Sequence, residues 1–278
     1  MAQPTPSLYA LDPALPVLLR PDGAVQVGWS PRRAVLIQPP RGVTAAGLAT
    51  LLRAMHSPVS IGELQRHSDL SGGELDDLLA KLVTAGVATR GARQRPTRSA
   101  SIRVHGRGPL SELLAEGLRC SGARIKQSNQ PHATVTAADA DLVVLSDNLV
   151  ADPRMLRDLH SQRVAHLAVR VRDGTGLVGP LVVPGVTSCL GCADLHRRDR
   201  DAAWPAVAAQ LRDTVGVADR PTLLATAALA LSQVNRVIGA VRGSESEPPP
   251  SLNATLEFDV HAGSIVVRQW PKHPLCSC

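Results

Sequence analysis

The sequence predicts an α/β protein of two domains: a small winged-helix-like α+β domain, then a larger α/β sheet domain. Three observations predict it. Short apolar runs give way, before residue 90, to leucine stripes at helical spacing. A polar, basic stretch without periodicity follows. Beyond it, apolar runs alternate with helical segments, the pattern of strands joined by helical crossovers. The expected boundaries are 1–92 for the first domain, 93–100 for a linker and 101–278 for the second. With 278 residues, 44% of them hydrophobic, the chain can bury two cores.

In the first domain, Val17–Arg20 and Ala24–Trp29 flank Pro21-Asp22-Gly23, which suits a tight reversal between strands. Ala34–Ile37 makes a third short strand. Leu48, Leu51, Leu52 and Met55 then share a helical face, and Ser60 to His67 reads as a short second helix. Ser71 opens a third, with Glu74 completing a capping box, Leu75, Leu78, Leu79 and Leu82 as its apolar stripe, and Gly86 as its stop. The last two helices have helix-turn-helix spacing, which raises DNA binding. Glu74, Asp76 and Asp77 stand there against only Lys81, and acidic residues facing a groove oppose phosphate contact. DNA is therefore not an expected partner.

In the second domain, Ile102–Val104 runs into Gly106-Arg107-Gly108 and a helix through Leu118, closed by Gly122. Leu142–Leu145 reads as a buried parallel strand, Asp152 to Gln162 as a helix, and Val164–Val171 and Leu177–Val183 as strands. Long helices are expected over Leu190–Leu211 and Pro221–Val241, then a strand pair, Leu256–Asp259 and Ile265–Trp270. Ser232, Gln233, Asn235 and Arg236 interrupt the most apolar stretch, so it reads as a buried globular helix and no membrane is expected as a partner. The N-terminus lacks the charged start and apolar run of a signal peptide, so the expected location is the cytoplasm.

Composition narrows the chemistry. Trp, Tyr and Phe number only five, which argues against a stacking platform for single-stranded nucleic acid. The net charge of +6 rests almost wholly on arginine, because Lys81, Lys126 and Lys272 are the only lysines. Five cysteines are too few for a disulfide scaffold, but four form two close pairs: Cys189-x-x-Cys192 after a strand, and Cys276-x-Cys278. Two such pairs can converge on one tetrahedral zinc ion with no open catalytic position; a redox pair is the alternative for Cys189 and Cys192 but leaves the second pair unexplained. His196, one helical turn beyond Cys192, is a substitute ligand or a surface residue beside Arg200. Cys120 reads as a small buried apolar residue.

Gly106-x-Gly108 after a strand presents amides at a helix N-terminus, an arrangement that suits phosphate. Ser111 stands where the dinucleotide fingerprint places its third glycine, and Lys126-Gln127-Ser128-Asn129-Gln130 offers no acidic ribose ligand. A plain strand–helix turn is the simpler reading. The run Asp194 to Asp201 reads as a salt-bridged helix face through Asp194–Arg198 and His196–Arg200, or as an arginine surface for an acidic peptide or partner enzyme. The 243–251 segment has the composition of a disordered loop.

Taken in order, the glycine turn, the strand ending in Asp147-Asn148, and Gly179-Pro180-Leu181-Val182-Val183-Pro184-Gly185-x-x-x-Cys189-x-x-Cys192 carry a resemblance. The long apolar helix, Glu257-Phe258-Asp259 and His273-Pro274-x-Cys276-x-Cys278 extend it. The chain resembles the ThiF-type, ubiquitin-activating-enzyme-like superfamily. Within it, the likeness is to the partner proteins of YcaO-type cyclodehydratases in azoline peptide biosynthesis, which also carry an N-terminal winged-helix-like domain for the leader of a precursor peptide. The resemblance implies a ThiF-like Rossmann-type second domain, a structural zinc ion on Cys189, Cys192, Cys276 and Cys278, and a homodimer. Peptide binding is expected at the strand Ala34, Val35, Leu36 and Ile37 and at Leu79 of the helix beside it. Gly106, Gly108 and Asp147 would be a vestigial nucleotide site, with Asp147 resembling the magnesium-linked acid.

Departures from that pattern point away from adenylation. Twenty-two positions separate Ile125 from Asp147, too few for the usual strand, nucleotide-binding helix and strand, since one βαβ unit takes about 30. Residues 193–275 hold no cysteine for a thioester. ATP is thus not expected as a cofactor. The expected function is leader-peptide recognition and scaffolding for a cyclodehydratase system, without intrinsic catalysis. The alternatives are a ThiF-type ATP-dependent adenylating enzyme and a winged-helix DNA-binding regulator with a zinc-bearing domain.

Overall fold

Serine caps start two helices of the first unit in this computed structural model, which describes residues 7–92, 98–130, 135–136, 138–243 and 247–278. The chain divides into two units, 1–95 and 96–278. Part of the expected linker, 93–97, lies outside the described residues, as does 244–246 of the expected 243–251 loop.

In the first unit, β1 (Ser7–Leu11) is followed by β2 (Val17–Leu19), β3 (Val25–Val27) and β4 (Val35–Ile37). The Asp22 carboxylate accepts from the Ala24 amide at 3.1 Å and Gly23 adopts φ +83°, which makes the β2–β3 reversal. These three strands form an antiparallel sheet in which β4 is an edge. Thr44 caps α1 (Ala45–Ala54). Then come β5 (Val59–Ser60), α2 (Ile61–Arg66) and α3 (Gly72–Thr84), the two helices opened by reciprocal capping boxes, Ser60 with Glu63 and Ser71 with Glu74. β6 (Ala88–Ala92) returns beside β1, whose other neighbour is β5. The strands β1, β5 and β6 were not legible: each is short and pairs with residues 50 to 85 positions away.

Leu48, Leu52, Met55, Leu64, Leu75, Leu79 and Leu82 are buried together over Val25 and Val27. This corrects one expectation. Leu79 is 1% exposed, a core residue with no surface to offer a peptide.

The second unit is built on seven strands: β7 (Ser101–His105), β8 (Arg124–Ser128), β9 (Leu142–Ser146), β10 (Ala165–Arg172), β11 (Thr175–Val182), β12 (Ala254–Asp259) and β13 (Ser264–Gln269). Their order is β13-β12-β11-β10-β9-β7-β8; the last four are parallel, and β11 to β13 are antiparallel additions. Helices α4 (Pro109–Leu118) and α8 (Arg220–Val241) cover one face through Leu110, Leu114, Leu118, Ala227, Ala230, Val234 and Ile238. Helices α5 (Pro153–Ser161) and α6 (Leu190–Arg200) cover the other through Met155, Leu159, Leu190 and Cys192. α8 is long and apolar enough to cross a membrane by length and composition, and its buried stripe lies against the sheet.

Three further corrections follow. The helix expected over 190–211 is two, α6 and α7 (Trp204–Leu211), broken where Asp201 leaves helical geometry and Pro205 opens the next turn. Asp194 pairs with Arg197 at 2.8 Å, not with Arg198. Cys120 is exposed, because it falls just past the end of α4. Between β8 and β9 no helix or strand occurs among the described residues.

Leu79→Ala should cost about 2–5 kcal/mol in urea denaturation, as for a fully buried leucine. His166 lies buried on β10, donating from Nδ1 to the Val164 carbonyl at 3.1 Å, and burial pushes its pKa down to about 4. The fold therefore favours the neutral ring. That contribution is complete above the unfolded value near 6.5 and is lost as pH falls toward 4, by up to roughly 3 kcal/mol. His166→Leu should flatten this part of the stability–pH curve.

Candidate functional site

Two constellations sit in the second unit. The first is the cysteine cluster. Cys189 is the N-cap of α6, its sulfur accepting from the Cys192 amide at 3.4 Å. Half-buried Cys276 and Cys278 arrive from the chain end. Sulfur separations are 3.8 Å for Cys189–Cys192 and 3.5 Å for both Cys189–Cys276 and Cys192–Cys278, and all four sulfurs lie within 4.8 Å of one another. Tetrahedral zinc with bonds of about 2.3 Å would set its sulfurs about 3.8 Å apart. The four can hold a metal ion, and the two pairs converge as their spacing predicts.

Burial pushes the thiol of Cys189 up and that of Cys278 to about 11. At Cys192 burial is outweighed by backbone and thiol hydrogen bonds, which bring it to about 7. A cation that replaces the protons resolves this crowding.

The approach of Cys276 is fixed by His273. That buried ring bonds Asp199 of α6 at 2.8 Å through Nε2, accepts from the Leu275 amide at 3.1 Å through Nδ1, and its backbone carbonyl accepts from the Cys276 amide at 2.9 Å. The contact with His273 holds the Asp199 carboxyl below its ordinary range. His196 is not a ligand: its ring packs on His273 with centroids 4.7 Å apart and bonds the Pro271 carbonyl. The anchoring role of His273 had a sequence signal in its place three residues before Cys276.

The second constellation is the glycine turn at the carboxyl ends of β7 and β9, where the strand order switches direction, the usual place for a ligand in such a sheet. Gly106, Gly108 and Asp147 meet there. Asp147, 1% exposed with φ +73°, turns its carboxylate onto the first turn of α4, accepting from the Leu110 amide at 2.9 Å and the Ser111 amide at 3.2 Å. A helix N-terminus binds anions through just such amides; here the anion is the chain's own.

The glycines are required by that contact. A Cβ on Gly106 would lie 2.6 Å from the Ser146 carbonyl oxygen, and one on Gly108 2.7 Å from the Asp147 carboxylate. Ser111 closes the turn, donating to the Gly108 carbonyl at 2.7 Å. Segment 213–216 covers the far side, with the Gly216 amide bonded to the Asp147 carbonyl at 3.0 Å. Two clefts of about 230 and 260 Å³ adjoin the turn, and Asn129 lines both.

In the first unit, Leu36 is the most exposed residue of β4, at 58%, while Ala34, Val35 and Ile37 are half-buried. Trp29, just before it, is 82% exposed.

No protein-family model matches the chain, and no curated protein matches it in sequence. Solved structures do match in fold. A heterocyclase in complex with substrate and cofactor is 15% identical with a TM-score of 0.66 over 98% of this chain. The heterocyclase TruD matches at the same identity and score over 98%. Escherichia coli MccB with ATP is 14% identical with a TM-score of 0.62, over 97% of this chain and 99% of that one. The chain spans only 39% and 42% of the two heterocyclase chains. The likeness is one of fold.

The Asp147 contact predicts a double-mutant cycle. Asp147→Ala should destabilise the second unit by about 1.5–3 kcal/mol, the usual worth of a charged hydrogen-bond acceptor. Gly108→Ala should be costly in the wild-type chain and much better tolerated alongside Asp147→Ala, a coupling that chemical denaturation of the four proteins measures.

Proposed function

We propose that this chain is a non-catalytic recognition subunit for the modification of a ribosomal precursor peptide. Residues 1–92 act as a winged-helix-like domain that takes up the peptide leader. Residues 101–278 act as a ThiF-like scaffold that docks a YcaO-type cyclodehydratase in the cytoplasm. The observation that carries the absence of adenylation is the Asp147 carboxylate on the α4 amides, which takes the place a phosphate would need. Fold likeness to heterocyclases over nearly the whole chain supports the peptide-modifying setting.

Leader binding would proceed by strand addition along β4, where the open edge and exposed Leu36 offer backbone pairing and an apolar contact. Exposed Glu74, Asp76 and Asp77 on α3 favour a peptide over DNA. The metal is zinc, in keeping with four thiolate ligands in a closed site, and its role is structural. The outer strand β13 leaves Ile265, Val266 and Val267 each about half exposed, an apolar edge suited to pairing with a second copy.

A second reading, an ATP-dependent adenylating enzyme, is favoured by the match to MccB with ATP along both chains. Two measurements decide between them. Native mass spectrometry should give a dimer with one zinc per chain and no nucleotide, and Cys276→Ala/Cys278→Ala should lose the metal and the cooperative unfolding of the second unit. ATP–pyrophosphate exchange catalysed by the wild-type protein overturns the non-catalytic reading.

A further inference from the structure

The face of the sheet that carries α6 holds a cavity of about 380 Å³. It is lined by five arginines, Arg170, Arg172, Arg197, Arg200 and Arg268, against three carboxylates, Asp194, Asp201 and Glu257. Their commitments differ. Arg268 is held by Glu257 at 2.7 Å. Arg197 is held by Asp194 at 2.8 Å and lies over the rings of Trp270 at 4.8 Å and Trp204 at 5.2 Å. Arg172, half exposed, reaches Asp173 at 3.7 Å and Glu257 at 4.0 Å.

Arg170 differs from all of them. It projects from the middle of β10, alternating with the core residues Val169 and Val171, and only 7% of it is exposed. Among the described residues, none gives it a hydrogen bond or ion pair. Burial, with the Arg197 charge adding to it and the Asp194 carboxylate opposing it, brings its pKa down to about 10. Arg200, at the exposed end of α6, also has no partner among the described residues.

A buried guanidinium with no hydrogen bond or ion pair of its own is costly, and folds keep one only where something compensates it. The remaining walls, including Leu149, Leu156, Leu177 and Leu211, are apolar. A bare inorganic anion would leave them uncovered. We infer that this cavity binds an organic oxyanion, a carboxylate or phosphate carried on an apolar group, with Arg170 as the buried partner of its charge and Arg200 as the partner at its mouth. The cavity includes none of the four cysteines and neighbours the cleft beside the glycine turn, which Arg170 also lines, and the inference stands whether or not the chain recognises a leader peptide.

Four probes test it by thermal unfolding and calorimetric titration in low salt. N-acetyl-leucine and phenyl phosphate pair an oxyanion with an apolar group; N-acetyl-leucinamide lacks the charge, and inorganic phosphate lacks the apolar part. Either or both of the first two should raise Tm and bind at least about tenfold more tightly than the last two, the value of a charge-assisted hydrogen bond; which of them does so tells carboxylate from phosphate. Arg170→Met should be as stable as wild type or more so without probe, and should show no probe-induced rise. Arg200→Gln, an exposed change that leaves folding intact, should weaken binding severalfold and covers the case in which Arg170→Met does not fold. Equal binding of the neutral amide, no binding of either charged organic probe, or unchanged binding in Arg200→Gln together with a persisting rise or failed folding in Arg170→Met overturns the inference.

Discussion

The carboxylate of Asp147 is the contact on which the centre of the second unit depends. It ends β9, caps α4 after β7, forbids side chains at Gly106 and Gly108, and sits beneath segment 213–216. One buried anion thereby joins pieces of chain that are far apart in sequence. The arrangement also explains how a turn with the outward marks of a phosphate loop can be a structural joint. The amides at a helix start require an acceptor, and when a neighbouring strand supplies one the same glycines are needed to let it approach.

What was legible followed from locality and residue type. The Ser60/Glu63 and Ser71/Glu74 boxes and the leucine stripes are short-range patterns, and they placed the helices. The cysteine pairs were legible because thiols are few and their spacing is specific to metal sites. Leu79 belonged to a stripe with Leu75, Leu78 and Leu82, and that stripe, taken at its word, already assigned it to the core. The strands β1, β5 and β6 were hidden by shortness and by distant pairing.

The charged residues were harder still. Asp147 finds its amide partners 36 and 37 positions away, and Arg170 looks in sequence like one polar position in an alternating strand. Nothing local says that one anion is capped and one cation is left without a partner. Those facts belong to the packing of helices against the sheet, which is where the chain's chemistry is set.

The cysteine cluster has a reach beyond its own four sulfurs. A metal held there closes residues 193–275 into a loop, and that loop contains Arg197, Arg200, Asp194, Trp204, Glu257 and Arg268, most of the charged and aromatic wall of the arginine-lined cavity. Closing a long loop restricts the unfolded chain and holds α6 and β13 to one geometry. The two regions share α6, so a metal that steadies Cys189 and Cys192 would also steady Asp194 and Arg197 at the cavity wall.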